Sequence, residues 1–208
     1  MPPVDCERLV EGFLGQPVNA LTSLAFVVAG LVVLVRTRRA WLAAALVSTG
    51  VGSVLSHGPM PPGSAWAHDV SLTWLLVVAG ASGTPVERWS TWPALAAIGL
   101  AVAVVPTAAV PLAVVAAVGA LGAILWRDRS PRTLAALALL ATGAAVGRLA
   151  AAGVLCDPDS LLQGHGVWHL AAATAVAVWA TGQHDDRAAT ATSNEADRGA
   201  TTDITSGR

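Results

Sequence analysis

Two pairs of polar residues stand four positions apart inside stretches that are otherwise apolar. The stretch LLQGHGVWHLAAATAVAVWA carries His165 and His169, and the stretch GVGSVLSHG carries Ser53 and His57. Residues at i and i+4 share one face of a helix, and two histidines at this spacing bind zinc in H-E-x-x-H sites, although the intervening Glu is absent here. Three neutral imidazoles with one open position make up a common ligand set of catalytic zinc. The spacing therefore predicts a metal site at His57, His165 and His169, with zinc as the first candidate.

The helices that must position these residues are membrane-spanning by composition. The 208 residues are 54% hydrophobic and 12% charged, with a mean hydropathy of +0.62, too apolar for an ordinary soluble domain. A net charge of −1 and the lack of a basic stripe exclude nucleic acid as a partner. A spanning helix needs roughly 20 residues, and the sequence predicts an all-α membrane protein with seven transmembrane helices. The apolar runs lie near residues 20–35, 40–57, 66–83, 90–106, 110–126, 133–155 and 163–181.

Some runs reach spanning length only when polar residues are counted inside them. The third, for example, must include His68 and Asp69. Ionisable residues within spans are costly and usually face an interior or a cavity, so we expect Asp69 to converge with the three histidines at one depth. The alternative is that the histidines lie at the lipid headgroups, while a Ser such as Ser53 bonds its own helix backbone or stabilises helix packing. His68 is expected to point elsewhere on its helix, and His184 falls in the tail.

Arginine placement predicts the orientation, because cytoplasmic loops collect positive charge. Three arginine-bearing loops fall on one side of seven crossings, which places the N-terminus outside and the C-terminus in the cytoplasm. Residues 1–183 form the membrane domain, and residues 184–208 lack an apolar face and read as a disordered cytoplasmic tail. The acidic N-terminus argues against a cleavable signal peptide, and the composition suggests a bacterial inner membrane. The loop arginines are Arg36, Arg38, Arg39, Arg88, Arg127, Arg129 and Arg132.

The two cysteines fall on the same predicted face. Cys6 precedes the first helix and Cys156 lies between the sixth and seventh, so both lie on the non-cytoplasmic side, where disulfides persist. An even count on one oxidising face favours a Cys6–Cys156 bridge. Two unrelated free thiols are the alternative.

The order and helix placement of these residues resemble the alkaline ceramidase family. That family belongs to a superfamily of seven-helix membrane hydrolases that includes the progestin and adiponectin receptors and the Per1-type proteins. The resemblance implies that the three histidines hold zinc and that Ser53 and Asp69 assist amide hydrolysis. It covers nearly the whole chain except the tail. The residues that carry it are Cys6-Glu7, Asn19, Ser53-x3-His57, Asp69 and His165-x3-His169.

The family also has a calcium site, and here the sequence departs from it. The acidic residue that the family carries shortly before the Asn is replaced by Gln16. Asp5, Glu7 and Gln16 supply only some of the roughly six to eight oxygens that calcium takes. Calcium is therefore a possible cofactor only.

The predicted function is zinc-dependent hydrolysis of the amide bond of a ceramide-like or other N-acyl lipid. A metal-activated water would attack, Asp69 would accept its proton, and Ser53 would donate a hydrogen bond to the oxyanion. Ester hydrolysis by the same site and a non-enzymatic lipid or metal receptor are the alternatives. A metal transporter is disfavoured, because Arg148 is the one ionisable residue expected deep in the bundle. The sequence leaves open the lipid, the oligomeric state and the role of Arg148.

Overall fold

The computed structural model describes residues 5–183, apart from the side chain of Ser90, and these residues form helices and no strands. Seven helices match the seven apolar runs, and a short 3-10 helix, Pro106–Ala108, leads into the fifth. The predicted tail, residues 184–208, lies outside the described residues. The helices are α1 Pro17–Thr37, α2 Ala40–His57, α3 Ser64–Ala81, α4 Glu87–Val104, α5 Ala109–Arg127, α6 Pro131–Ala151 and α7, residues 164–183.

Within the described residues, four stretches are long and apolar enough to cross a membrane: α1, α2, Pro106–Arg127 and α6. Their outward faces carry large apolar side chains, such as Val35 at 78% exposure and Val110 at 72%. A water-facing surface seldom carries continuous apolar area of this kind, whereas lipid accommodates it. The chain therefore has the character of a membrane protein, while the full set of seven spans stays a prediction.

The helices pack through small residues that let their backbones approach. A Cβ added to Gly30 in α1 would lie 2.9 Å from the Ala43 carbonyl oxygen in α2, and one added to Gly143 in α6 would lie 2.4 Å from the Ala171 Cβ in α7. In lipid no hydrophobic effect draws helices together, so close packing of this kind supplies the attraction between them. By these and further contacts, α1 packs between α2 and α7, α3 packs on α2, α4 and α5, and α6 packs on α7.

A covalent and ionic clamp fixes the N-terminal segment at one end of the bundle. The predicted bridge between Cys6 and Cys156 is confirmed, with the two Cα atoms 5.4 Å apart. Two residues on, Arg8 makes a bidentate ion pair with Asp159 at 2.7 and 2.8 Å. Residues 6–8 are thereby held against the loop between α6 and α7.

Polar contacts also join the chain at the opposite end of the bundle. Gln183 at the end of α7 accepts a hydrogen bond from Arg39 at 3.0 Å and donates one to Asp128 at 3.3 Å. Desolvation raises the pKa of the Asp128 carboxyl, but the hydrogen bonds from Thr133, Ser130 and Gln183 outweigh it, so the pKa is lowered. The end of α5, the starts of α2 and α6 and the last described turn of α7 meet at this network.

Arg148 lies exposed in the last turn of α6. It is therefore not deep in the bundle, contrary to the expectation from sequence. A long side chain near a helix end can extend its charged head toward water while its stem covers apolar surface.

Candidate metal centre

Three histidines converge at the clamped end of the bundle. His57 is the last residue of α2, and His165 and His169 lie on the first two turns of α7. Their ring centroids are 4.4 to 5.4 Å apart, and one ring nitrogen from each lies within 4.8 Å of the others. The predicted proximity of the three histidines is confirmed, and the cluster can hold a metal ion.

The Nδ1 atom of His57 faces a hydrogen-bond acceptor. Gln16 donates from its Nε2 to the Glu7 carbonyl oxygen at 3.1 Å, which turns its Oε1 toward His57 Nδ1 at 2.7 Å. An amide oxygen can only accept, so the His57 proton lies on Nδ1. The Nε2 atom of His57 is left with its lone pair.

The same reasoning applies to His169. The hydroxyls of Thr22 and Ser23 donate to carbonyl oxygens one turn back in α1, at 2.8 and 2.6 Å. The same hydroxyl oxygens lie 3.2 and 3.3 Å from His169 Nδ1 and still have lone pairs with which to accept a hydrogen bond. Because both hydroxyl protons are committed elsewhere, His169 Nδ1 carries the proton and donates to these oxygens. The arrangement again leaves Nε2 as the basic nitrogen.

The third histidine faces a carboxylate. His165 Nδ1 lies 3.2 Å from the Oδ1 atom of Asp5, a residue of the N-terminal segment. A carboxylate next to a ring nitrogen favours the proton on that nitrogen. All three imidazoles therefore have an acceptor at Nδ1 and direct the lone pair of Nε2 elsewhere.

The Nε2 atoms are the part of the cluster that lacks partners. Those of His57 and His165 are buried and have no hydrogen-bond partner within the described chain, and that of His169 has only the Ser53 hydroxyl at 3.3 Å. A buried polar atom without a partner costs roughly 1 to 3 kcal/mol. Three imidazole nitrogens suit divalent metals such as zinc, and coordination would satisfy all of them. The donor set thus fits the metal that the sequence predicts.

Ser53 joins the cluster through two contacts. Its side chain is 1% exposed, and its Oγ lies 2.8 Å from Ser23 Oγ and 3.3 Å from His169 Nε2. Ser53 thus bonds across helices to α1 and α7, which a role in helix packing would also give. A hydroxyl at this position can donate to a group bound at the centre.

Asp69 contacts His68, whose ring lies near that of His57. The Asp69 carboxylate is 3.1 Å from His68 Nδ1, and among the described residues no hydrogen bond joins Asp69 to the other three histidines. The His68 ring centroid is 6.1 Å from that of His57, nearer than the sequence suggested. The predicted role of Asp69 in proton transfer stays a prediction.

Each residue of the possible calcium set has a protein partner. The Glu7 carboxylate accepts hydrogen bonds from the Val18 and Asn19 amides at 2.7 and 2.8 Å, which caps the first turn of α1 where N–H groups lack helical partners. Gln16 and Asp5 face histidines, as described above. Calcium stays an expectation from the resemblance, and we propose no calcium site.

The contacts from α1 and the N-terminal segment are the part of the site that sequence reasoning missed. Asn19, Thr22 and Ser23 stand at i, i+3 and i+4 in an apolar helix, so they share one face. That spacing is the same signal that singled out the histidines, and it could have placed Thr22 and Ser23 at the site. No such pattern exists for Asp5, which lies outside any helix.

Comparison of the chain with protein-family models, curated proteins and solved structures finds no match. The donor atoms of the three histidines and the residues around them are therefore the features that indicate a function.

Proposed function

We propose that the chain is a zinc-dependent membrane hydrolase that cleaves the amide bond of a ceramide-like or other N-acyl lipid. The observation that carries this proposal is the group of three histidines, each with one ring nitrogen within 4.8 Å of the others, in which the Nε2 atoms of His57 and His165 are buried without a partner in the described chain. The order of Ser53, His57, Asp69, His165 and His169, which resembles the alkaline ceramidases, supplies the substrate class.

His57, His165 and His169 would hold the metal through Nε2. When bound, zinc supplies a Lewis acid that polarises a carbonyl oxygen and acidifies water. Three neutral imidazoles leave the ion its full positive charge, which favours that chemistry. The Nδ1 acceptors keep the three rings in one tautomer and one orientation.

Ser53 and Asp69 would act on the substrate. The Ser53 hydroxyl lies beside His169 Nε2 and, by rotating away from Ser23, donates to the oxygen that becomes negative as the amide carbonyl is attacked. Asp69 accepts the proton of the attacking water and passes it to the departing amine nitrogen. His68 hydrogen-bonds the Asp69 carboxylate at 3.1 Å and so restricts its orientation.

The site lies at the end of the bundle that we assign to the non-cytoplasmic side. The Cys6–Cys156 bridge lies at this end, as expected of an oxidising compartment, and the arginine-rich loops lie at the other. The acyl chain would lie between helices, with the amide at the histidines. Labelling of a cysteine introduced at Leu161 in intact cells by an impermeant maleimide tests this orientation; protection there would reverse it.

A lipid-hydrolysis assay on the purified protein tests the proposal. Fatty acid should be released from ceramide or another N-acyl lipid in a panel that includes the matching ester lipids. Asp69→Asn should keep its zinc and lose roughly 10²-fold or more in rate, the usual size of a general acid–base contribution. Release from esters alone would make the protein an esterase. Saturable lipid binding with no release in any preparation would make it a receptor and overturn the enzyme proposal.

A further inference from the structure

We infer that Asp5 is a positioning residue of the metal centre, with one carboxylate serving two of the three histidine ligands. The inference rests on the proposed zinc site and adds a residue to it that lies outside the helices. Asp5 belongs to the N-terminal segment, twelve positions before α1 begins at Pro17.

The two carboxylate oxygens of Asp5 divide between the two rings. Oδ1 lies 3.2 Å from His165 Nδ1 and Oδ2 lies 3.7 Å from His57 Nδ1. The Asp5 side chain is 18% exposed, so water screens these contacts only in part. Gln16 also accepts from His57, whereas Asp5 is the acceptor that the described chain provides for His165.

A carboxylate at Nδ1 changes what Nε2 can do. It fixes the tautomer in which Nε2 carries no proton, it restrains rotation of the ring, and it makes Nε2 a stronger donor to a metal. His165 is the most exposed of the three ligands, at 23% of its side chain against 6% for His57. Its ring therefore has the least restraint from packing and gains the most from Asp5.

The neighbours of Asp5 along the chain hold it in place. Cys6 is bridged to Cys156, and Glu7 is buried with its carboxylate on the first amides of α1. The backbone amide of Arg8 donates to the Pro158 carbonyl oxygen at 3.1 Å. The three residues that directly follow Asp5 are thus anchored. Their contacts hold the Asp5 carboxylate at the histidines, although Asp5 itself is not part of a helix.

Zinc affinity of the purified full-length chain tests this role. Competition with a chelator should show about 10- to 100-fold weaker binding for Asp5→Ala, the usual cost of removing such a partner. Asp5→Asn keeps an acceptor oxygen without the charge, so its zinc affinity should fall between that of Asp5→Ala and that of the unaltered protein. With cobalt in place of zinc, the absorption bands of Asp5→Ala should shift, because the His165 ring is no longer held.

Asp159→Asn is the matched control. It breaks the ion pair with Arg8, and so loosens the same segment, but it leaves the carboxylate at the histidines intact. Its zinc affinity and cobalt spectrum should equal those of the unaltered protein. An equal loss of affinity in Asp159→Asn and Asp5→Asn would show that only the attachment of the segment matters, and would overturn the inference.

The outcomes separate this inference from the proposed function. Absence of zinc binding in the unaltered chain removes the metal centre itself. Normal zinc binding in Asp5→Asn and Asp5→Ala, within about threefold of the unaltered affinity, leaves the centre standing and overturns the role of Asp5. If Asp5→Ala fails to form the Cys6–Cys156 bridge, the isosteric Asp5→Asn carries the test, and unchanged affinity there is the contrary result.

Discussion

At the scale of single residues, the centre depends on which nitrogen each imidazole leaves free. Acceptors from the N-terminal segment and α1 face all three Nδ1 atoms, and the three Nε2 atoms lack strong partners. Within residues 5–183, Ser53 is the one hydroxyl that contacts an Nε2 atom of the three histidines, at 3.3 Å. In the proposed mechanism the histidines hold the metal and Ser53 assists the reaction, so the two roles can be tested separately.

Ser53→Ala should therefore keep zinc and lose rate. Removal of a single donor to a developing oxyanion usually costs roughly 10²- to 10³-fold, and we expect about 10²-fold in the hydrolysis assay at unchanged zinc content. Ser56→Ala is the control, because Ser56 lies in the same helix and, among the described residues, no hydrogen bond joins it to the histidines. If Ser53→Ala loses zinc together with activity, Ser53 supports the metal and our assignment is wrong.

The spacing of polar residues in the sequence predicts the histidines but not their partners. His165 and His169 share a helix face by their period, and the order of seven crossings puts the end of the second run, at His57, on the same side as the start of the seventh. Period and topology together therefore predict that the three histidines lie near one another. Asp5 and Gln16 lie in or next to a non-helical segment, whose path is set by the bridge to Cys156 and by the Glu7 cap. No local periodicity encodes such a path.

At the scale of helices, the packing of α7 on α6 sets the position of two ligands. Gly164 is the first residue of α7, directly before His165, and a Cβ there would lie 2.4 Å from the Ala150 Cβ and 3.1 Å from the Val146 carbonyl oxygen. Neither neighbour is a flexible side chain, so a larger residue must push α7 away from α6. The close approach of the two helices therefore helps to place the histidines.

Gly164→Ala should lower the thermal midpoint in detergent and weaken zinc binding. Overpacking costs typically 1 to 3 kcal/mol, more than the roughly 0.5 to 1 kcal/mol that alanine gains over glycine in a helix. Gly119→Ala in α5 is the control, because a Cβ there meets nothing within 4 Å, and its midpoint should stay the same or rise. Equal midpoints for Gly164→Ala and the unaltered protein, by circular dichroism, would contradict this account of the α6–α7 contact.

The helices themselves could be predicted more fully than their arrangement. Each apolar run became a helix, with bounds that differ by a few residues, because length and hydropathy decide helix formation in a membrane. The contact of α3 with α5 as well as with α4 was not predictable. Helices that are apolar on most faces give no hydrophobic stripe to show which neighbour they meet.

At the scale of the whole molecule, the histidine cluster and the arginine-bearing loops lie at opposite ends of the bundle. The disulfide, the histidines and the acidic N-terminal segment share one end, and the arginine-bearing loops share the other. The bridge joins residues 150 positions apart and holds the N-terminal segment next to the three histidines. The cysteine pairing could be predicted because topology placed both residues on one face. The position of the N-terminal segment next to the histidines could not be predicted.

The zinc content of the purified protein tests the central claim most directly. The three-histidine centre predicts about one zinc per chain by elemental analysis, with a large loss of zinc in each of His57→Ala, His165→Ala and His169→Ala. His68→Ala is the matched control and should keep its zinc, because His68 is not one of the three histidines whose ring nitrogens lie within 4.8 Å of one another. Full zinc occupancy in all three ligand variants, or an unaltered protein that takes up no zinc, would contradict the claim.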